Sequence, residues 1–355
     1  MAQTIRVLIT GVGAPGVRGT IYALHHHGDE RRLHITGVDV RPDAVGRFLV
    51  NHFYVVPSPE DPAYIDSLAS ICRKESIEVV IPQTTREVNV LSRYIDYFLQ
   101  LGVRVMVSDW PAIEIANNKW RLLQEFEKIG FPIPRYRLVR SQDELTTFAA
   151  ELGYPQHPLV VKPPISNGMR GVRVLRKNAW DVQRFLSEKP SGLEIALTEL
   201  VAILQNGPEW PQLLLMEYLP GAEYTVDVFS GASMQVAIPR LRKAIRSGIT
   251  FEAVMEFRED LTRYSLQGAR HIGLRYAVGF QFKLDEKGTP KVLESNPRVQ
   301  GTMVASLFSG ANVIWLAMKE LLGEPPTEFP QPLNEASFYR FWGGLGVSDG
   351  DVREI

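Results

Sequence analysis

The chain contains one cysteine, Cys72, in 355 residues. That excludes an internal disulfide and fits a reducing compartment, so a cytoplasmic location is expected. The chain also lacks a surplus of either charge: 39 Lys and Arg stand against 40 Asp and Glu, a formal net charge of −1. A globally basic surface for nucleic acid or anionic membrane is thereby excluded, although a local basic cleft is not. No internal repeat or low-complexity segment is present. Long uncharged runs are scarce too. Residues 301–318 carry no charge, but Ser306, Ser309, Gly310 and Asn312 lie among them and Arg298 and Lys319 flank them. This stretch reads as a loop followed by a buried helix rather than a membrane span. The first ten residues hold Arg6 inside an apolar strand and lack the order of a signal peptide. Neither a nucleic-acid nor a membrane partner is expected.

What remains is an ordinary globular composition, 45% hydrophobic and 22% charged, with length for two or three domains. Strand and helix alternate at first: strands over 6–10, 35–39, 78–82 and 103–107, helices over 17–27, 63–74 and 87–101. Such alternation predicts a parallel, doubly wound sheet ending near Trp110. A helix follows over 111–129, stopped by Pro132 and Pro134. Beyond Arg135 the strands 159–163, 171–175, 213–218, 223–229 and 235–241 crowd together, which predicts antiparallel α+β structure. Residues 207–211 read as the break between two lobes, and 348–355 as a frayed tail. The division is 1–112, 113–212, 213–347 and 348–355.

Several constellations could hold chemistry. Gly11-Val12-Gly13-Ala14-Pro15-Gly16 fits G-x-G-x-x-G between a strand and a helix, with Asp39 ending the next strand. It is either a dinucleotide loop or a glycine turn that lets strand and helix pack closely. No hydride-transfer site appears downstream of it. His25-His26-His27 is no chelate, because consecutive helix positions diverge by about 100°. Lys162 lies on a strand that leads into the glycine loop Ser166-Asn167-Gly168-Met169-Arg170-Gly171. Such a loop can bring backbone N–H groups to phosphates, helped by Arg170; the plain alternative is a surface hairpin. Glu217-Tyr218-Leu219 leaves a strand, with Glu223 just beyond. Its backbone could meet an adenine edge and its carboxylate a ribose, or it is simply a hairpin corner.

The sharpest pattern pairs Gln281 with Glu294-Ser295-Asn296-Pro297-Arg298. If the turn 286–289 joins two antiparallel strands in regular register, Asp285 faces Pro290 and Gln281 faces Glu294. Glu294 and Asn296 then share a face with Gln281, while Phe280, Phe282 and Leu293 point away. Three oxygen-bearing side chains suit a hard cation, and Arg298 continues that face toward a phosphoryl oxygen. Arg240 and Arg242, at strand spacing, form either an anion clamp or a solvated rim. Lys119 lies near the start of a helix, where a long cation could reach a phosphate; taken alone, it reads as a surface residue.

In order and spacing, these motifs resemble the ATP-grasp superfamily, specifically the carbamoyl-phosphate-synthase large-subunit type and its small stand-alone relatives. The resemblance covers nearly the whole chain. It implies α/β plus α+β structure: a Rossmann-like pre-ATP-grasp domain, then a two-lobed ATP-grasp module. It implies that Lys119 and Lys162 hold ATP phosphates and that Ser166, Gly168, Arg170 and Gly171 belong to a phosphate lid. Glu217, Tyr218 and Leu219 would meet adenine and Glu223 the ribose. Gln281, Glu294 and Asn296 would bind Mg²⁺, with Mn²⁺ admissible. Arg298, with Arg240 and Arg242, would be catalytic, stabilising an acyl phosphate. The lid has fewer Gly and Ser than is usual, and only one grasp module is present, so full carbamoyl-phosphate synthesis is not expected. The implied reaction is an ADP-forming ligation of a small-molecule carboxylate to an amine, and a homodimer is compatible with it. A nucleotide-binding module that has lost catalysis is the alternative, and a nicotinamide-dependent dehydrogenase using the Gly11 loop a further one.

Overall fold

A computed structural model describes residues 4–166, 168–177, 182–188, 192–328, 330, 336–341, 343–348 and 351–354. The first segment contains β1 (Thr4–Thr10), α1 (Val17–His25), β2 (Arg32–Asp39), β3 (His52–Val55), α2 (Tyr64–Lys74), β4 (Val79–Ile81), α3 (Thr85–Leu91), α4 (Ile95–Gln100), β5 (Arg104–Val105) and α5 (Trp110–Ala116). Its five strands run parallel in the order β3-β2-β1-β4-β5. Val7, Leu8 and Ile9 of β1 are wholly buried, as a central strand covered on both faces must be. The expected doubly wound domain is therefore present. Its helices are shorter than expected. The single helix over 87–101 is two, α3 opening on a capping box in which Thr84 and Glu87 satisfy each other's backbone N–H groups. The helix over 111–129 likewise divides before Asn118, whose side chain accepts from the N–H groups of Trp120 and Arg121 and starts a new helix.

That new helix is α6 (Lys119–Lys128), followed by β6 (Tyr136–Val139), α7 (Gln142–Glu151), β7 (Leu159–Lys162), β8 (Arg173–Leu175), α8 (Val182–Ser187), β9 (Glu194–Ile195), α9 (Leu197–Gln205) and β10 (Leu213–Glu217). The sheet order is β6-β10-β7-β8-β9. The boundary expected at 212 puts Leu213–Glu217 with the later strands. Instead β10 lies antiparallel between β6 and β7, filling the sheet centre with Leu214, Leu215 and Met216. The turn over 207–211 is therefore an ordinary connection within that sheet.

The remainder comprises β11 (Glu223–Ser230), β12 (Gln235–Arg246), β13 (Ile249–Met255), α10 (Glu259–Ile272), β14 (Tyr276–Leu284), β15 (Pro290–Asn296), α11 (Ala305–Phe308), α12 (Val313–Leu322), β16 (Ser337–Tyr339), β17 (Leu345–Ser348) and β18 (Asp351–Glu354). A six-stranded sheet has the order β15-β14-β11-β12-β13-β16. The uncharged run does become loop and buried helix: Val313, Ile314, Ala317 and Met318 of α12 are fully covered. Among the described residues no helix is long and apolar enough to cross a membrane. The tail is not frayed throughout. β17 and β18 pair as a hairpin, with Val347 opposite Val352, because backbone hydrogen bonds close even where side chains stay exposed.

The chain forms two compact units. One gathers residues 1–116, 223–281 and 295–355; the other gathers 117–222 and 282–294. The divisions at 281/282 and 294/295 fall inside β14 and β15.

Candidate functional site

In the second unit, α6 buries Lys119, Leu122, Leu123 and Phe126 on one helical stripe. Lys119 is thus carried into the interior by the same periodicity that buries its apolar neighbours, and is 5% exposed. Its N–H donates to the Pro164 carbonyl at 2.8 Å. Its Nζ donates to the Ser166 carbonyl at 3.0 Å and lies 3.3 Å from Ser166 Oγ and 3.5 Å from Glu294 Oε2. Lys162, at the end of β7, is 6% exposed, and its Nζ donates to the Leu293 carbonyl at 3.2 Å. Two ammonium groups, from a helix start and a strand end, therefore sit against consecutive residues of β15. A buried ammonium is costly without an anion, and Glu294 places a carboxylate beside Lys119.

The glycine loop follows Lys162 directly. Gly168, Met169 and Gly171 all adopt left-handed backbone, with φ of +60°, +64° and +74°. Gly171 also lies so close to the Pro163 ring that a Cβ would stand 2.7 Å from it. Arg170 is exposed at the loop tip. Asn167 lies outside the described residues.

The strand-end linker after β10 is held on both sides. Glu217 receives Lys291 Nζ at 2.6 Å, Arg135 Nε at 2.9 Å and the Arg135 N–H at 3.1 Å. Burial alone would raise the Glu217 carboxyl, but these donors outweigh it and hold the group below its ordinary range. The Tyr218 ring faces two cations, Arg176 and Lys283, each 5.3 Å from its centroid. Leu219 is buried, and the Gly221 N–H donates to the Leu284 carbonyl at 3.0 Å.

The first unit contains the arginines. Arg240 is 1% exposed and forms a two-point ion pair with Asp227, Nε–Oδ2 2.6 Å and Nη2–Oδ1 2.9 Å. Gln300 Nε2 also donates to Asp227, at 3.4 Å. Arg240 Nη1 is buried without a hydrogen-bond partner among the described residues. Arg242 is buried as well. It pairs with Glu223, and donates to Thr250 Oγ1 at 2.9 Å and to the Gly248 carbonyl at 2.7 Å. Neither arginine is a solvated rim. Arg298 contacts Asn296 Oδ1 at 3.3 Å, the Val299 carbonyl at 3.0 Å and Thr85 Oγ1 at 3.4 Å. Gln281 and Asn296 are half-buried. Phe280 and Phe282 are covered as expected, but on β15 it is Val292 rather than Leu293 that is fully buried.

Packing accounts for each glycine of the Gly11 loop. A Cβ at Gly11 would meet Glu87, one at Gly13 would meet Asp39, and one at Gly16 would lie 2.5 Å from the Gly301 Cα. Both Asp39 oxygens are engaged, accepting from the N–H groups of Gly13 at 2.7 Å and Arg41 at 3.0 Å. The carboxylate that a dinucleotide ribose would need is thus used by the loop itself. Sequence reasoning did not single out Asp227, the partner of Arg240 and Gln300, which carries no motif. The capping box at Thr84 and Glu87 was readable as T-x-x-E.

The parallel α/β domain, the lysine strand with its left-handed glycine loop and the acid–amide strand follow the order that the ATP-grasp resemblance implies. Comparison with known proteins agrees. Residues 209–340 match the family model "ATP-grasp in the biosynthetic pathway with Ter operon", and residues 7–106 match "PylC-like, N-terminal domain". The chain is 25% identical over 270 residues to the carbamoyl phosphate synthase large chain, C-terminal section, of Methanopyrus kandleri, covering 70% of this chain and 43% of that protein. It is 26% identical over 234 residues to the carbamoyl phosphate synthase large chain of Thermomicrobium roseum, covering 62% and 20%. The chain thus spans less than half the length of these relatives. Among solved structures, N5-carboxyaminoimidazole synthetase from Staphylococcus aureus complexed with ADP superposes with a TM-score of 0.69 at 12% identity, covering 94% of this chain and 81% of that one. The biotin carboxylase domain of the Hydrogenobacter thermophilus 2-oxoglutarate carboxylase, solved with MgADP and bicarbonate, gives 0.68 at 15%, covering 93% and 72%. The chain carries an ATP-grasp domain and a PylC-like N-terminal domain, and is homologous to the carbamoyl phosphate synthase large chain.

Proposed function

We propose that the chain is an ATP- and Mg²⁺-dependent ligase that activates a small-molecule carboxylate as an acyl phosphate for capture by an amine. The observation that carries this reading is the placement of buried Lys119 and Lys162 against Leu293 and Glu294 of β15. The donor set fits the metal: Gln281, Glu294 and Asn296 offer only oxygen ligands, which suit a hard divalent cation. The metal, when bound, neutralises phosphate charge. Lys119 and Lys162 bind and orient the terminal phosphates; the glycine loop offers backbone N–H groups to them. Glu217, Tyr218 and Leu219 position the base and Glu223 the ribose. The substrate carboxylate oxygen attacks the γ-phosphorus, the bond to the β-phosphate oxygen breaks, and ADP leaves. The amine then attacks the acyl carbon, loses a proton and expels phosphate. Arg298, with Arg240 and Arg242, stabilises the acyl-phosphate charge. Such transfer rests on positioning and charge neutralisation, so no protein nucleophile is required.

Purified protein screened with ATP and Mg²⁺ over carboxylates, amines, amino acids and dipeptides tests the reading through ADP release. Release that requires both a carboxylate and an amine supports it. Tight Mg²⁺-ATP binding with no turnover under any pair would establish the nucleotide-binding alternative, which Met169 in the left-handed loop favours. The engaged Asp39 weighs against the dehydrogenase reading, and calorimetric heat on adding nicotinamide dinucleotide would restore it.

A further inference from the structure

The N-terminal sheet holds a second cluster that the ligase reading leaves unused. His34 on β2 pairs with Arg6 of β1. Two residues on, Thr36 pairs with His52 of β3, and Val38 pairs with Tyr54. Side chains alternate along a strand, so His34, His52 and Tyr54 share one face of the sheet. Glu75, which ends α2, meets that face. Its Oε2 lies 2.7 Å from His52 Nδ1, and its Oε1 accepts from the Tyr54 hydroxyl at 2.5 Å. The His34 and His52 rings meet edge to face, with centroids 4.9 Å apart. One ligand-capable atom from each of His34, His52 and Glu75 lies within 4.8 Å of the other two. His34 Nε2 is shut off from water and has no hydrogen-bond partner among the described residues. A buried polar atom left unpaired is costly, and ligation of an ion would satisfy it.

We propose that His34, His52 and Glu75 form a Zn²⁺ site, separate from the oxygen-donor set on β14 and β15. Two imidazoles and one carboxylate are the ligand types that select Zn²⁺ over Mg²⁺, and three protein ligands leave one position for water. The His52 side chain is 50% exposed while that of Glu75 is 8% exposed, so the site opens to solvent on one side and is anchored on the other. Tyr54 acts behind the ligands by orienting Glu75. Two cations oppose binding: Arg6 donates to the Glu75 carbonyl at 3.3 Å, and Lys74 lies 4.7 Å from the Tyr54 ring centroid. Binding replaces the direct His52–Glu75 hydrogen bond with ligation and ties β2, β3 and the end of α2 together.

The test uses the full chain freed of metal with a chelator and titrated with Co²⁺, followed by Zn²⁺ in competition. The expected result is a tetrahedral Co²⁺ visible spectrum that one equivalent of Zn²⁺ abolishes. His34→Gln and His52→Gln should each weaken binding more than about tenfold, and Tyr54→Phe about tenfold. Glu294→Ala should leave the bands intact, which keeps this site distinguishable from the nucleotide metal whether or not the ligase reading stands. Far-UV circular dichroism verifies folding, and the exposed His52 is the variant least exposed to a folding defect. Absence of a Zn²⁺-displaceable band, or bands unchanged in both histidine variants, would overturn the site and leave His52–Glu75 a plain hydrogen-bonded pair.

Discussion

Lys119 is the residue where helix formation and chemistry meet. Asn118 caps the helix and the next residue is a buried cation beside Glu294. Removing that carboxylate takes away both the proposed metal ligand and an anionic neighbour of the lysine. Glu294→Ala should therefore lower carboxylate-dependent ADP release by at least about 100-fold, the scale reached when charge-stabilising groups are deleted. Release at the wild-type rate would sink the assignment. Glu294, Asn296 and Arg298 could be singled out from the sequence because their spacing is local, the first two on β15 and the third two residues beyond it. Arg240 was singled out only as one of two arginines at strand spacing, an anion clamp or a solvated rim. Its partner Asp227 lies thirteen positions away on β11, and nothing in the sequence marks it. Asp227→Ala would leave a buried guanidinium uncompensated, and should cost about 3–5 kcal/mol in denaturant unfolding. Pairing Asp227→Leu with Arg240→Met should recover most of that stability. A small loss in the single variant would show the pair to be hydrated.

Among the elements, those with strong local signals were read correctly and those defined by a cap or by long-range pairing were not. The parallel strands and the buried α12 announce themselves by apolar runs. The break before α6 rests on Asn118, whose capping bonds compete with a helix that periodicity alone would continue. Asn118→Ala should cost about 1 kcal/mol, measured by thermal unfolding, and should weaken ATP binding because Lys119 is the first residue of that helix. Unchanged affinity beside the stability loss would separate the two roles. The position of β10 was out of reach for another reason. A strand between two others from earlier in the chain has no sequence mark of its neighbours. The glycine loop offers a converse case. Met169 holds φ of +64°, a conformation that glycine adopts without steric cost. Met169→Gly should leave stability within about 1 kcal/mol of wild type while easing closure of the loop, seen as a lower KM for ATP. A raised KM would mean that the Met169 side chain itself contacts ligand.

At the scale of the whole molecule, the unit built from three separate stretches was the least legible feature. The Gly16 backbone packs on Gly301, Asn312 Nδ2 donates to the Ala23 carbonyl at 2.7 Å, and Arg31 pairs with Glu324 at 2.8 Å. None of these pairings has a local signature. The same unit buries a carboxyl that shapes the pH response of folding. Glu87 is shut away at the start of α3, and burial raises it above its ordinary value. The hydrogen bond from the Thr84 N–H at 2.9 Å only partly opposes this. A raised carboxyl binds its proton more tightly in the folded state. Its effect on stability is therefore constant below the ordinary carboxyl value and becomes increasingly unfavourable as pH rises toward the folded one. Glu217 and Asp285 act in the opposite sense. Burial would raise both, but hydrogen bonds to Lys291 and Arg135, and to the N–H groups of Thr289 and Lys287, hold them low. Their stabilisation is present above the ordinary value and is lost as pH falls through their folded values. Glu87→Gln keeps an oxygen acceptor for Thr84 and removes the titration. Thermal midpoints from pH 5 to pH 8 should then match wild type at the acid end and exceed it progressively toward the basic end. Parallel curves across that range would show that Glu87 is ionised throughout, with its charge already compensated in the fold.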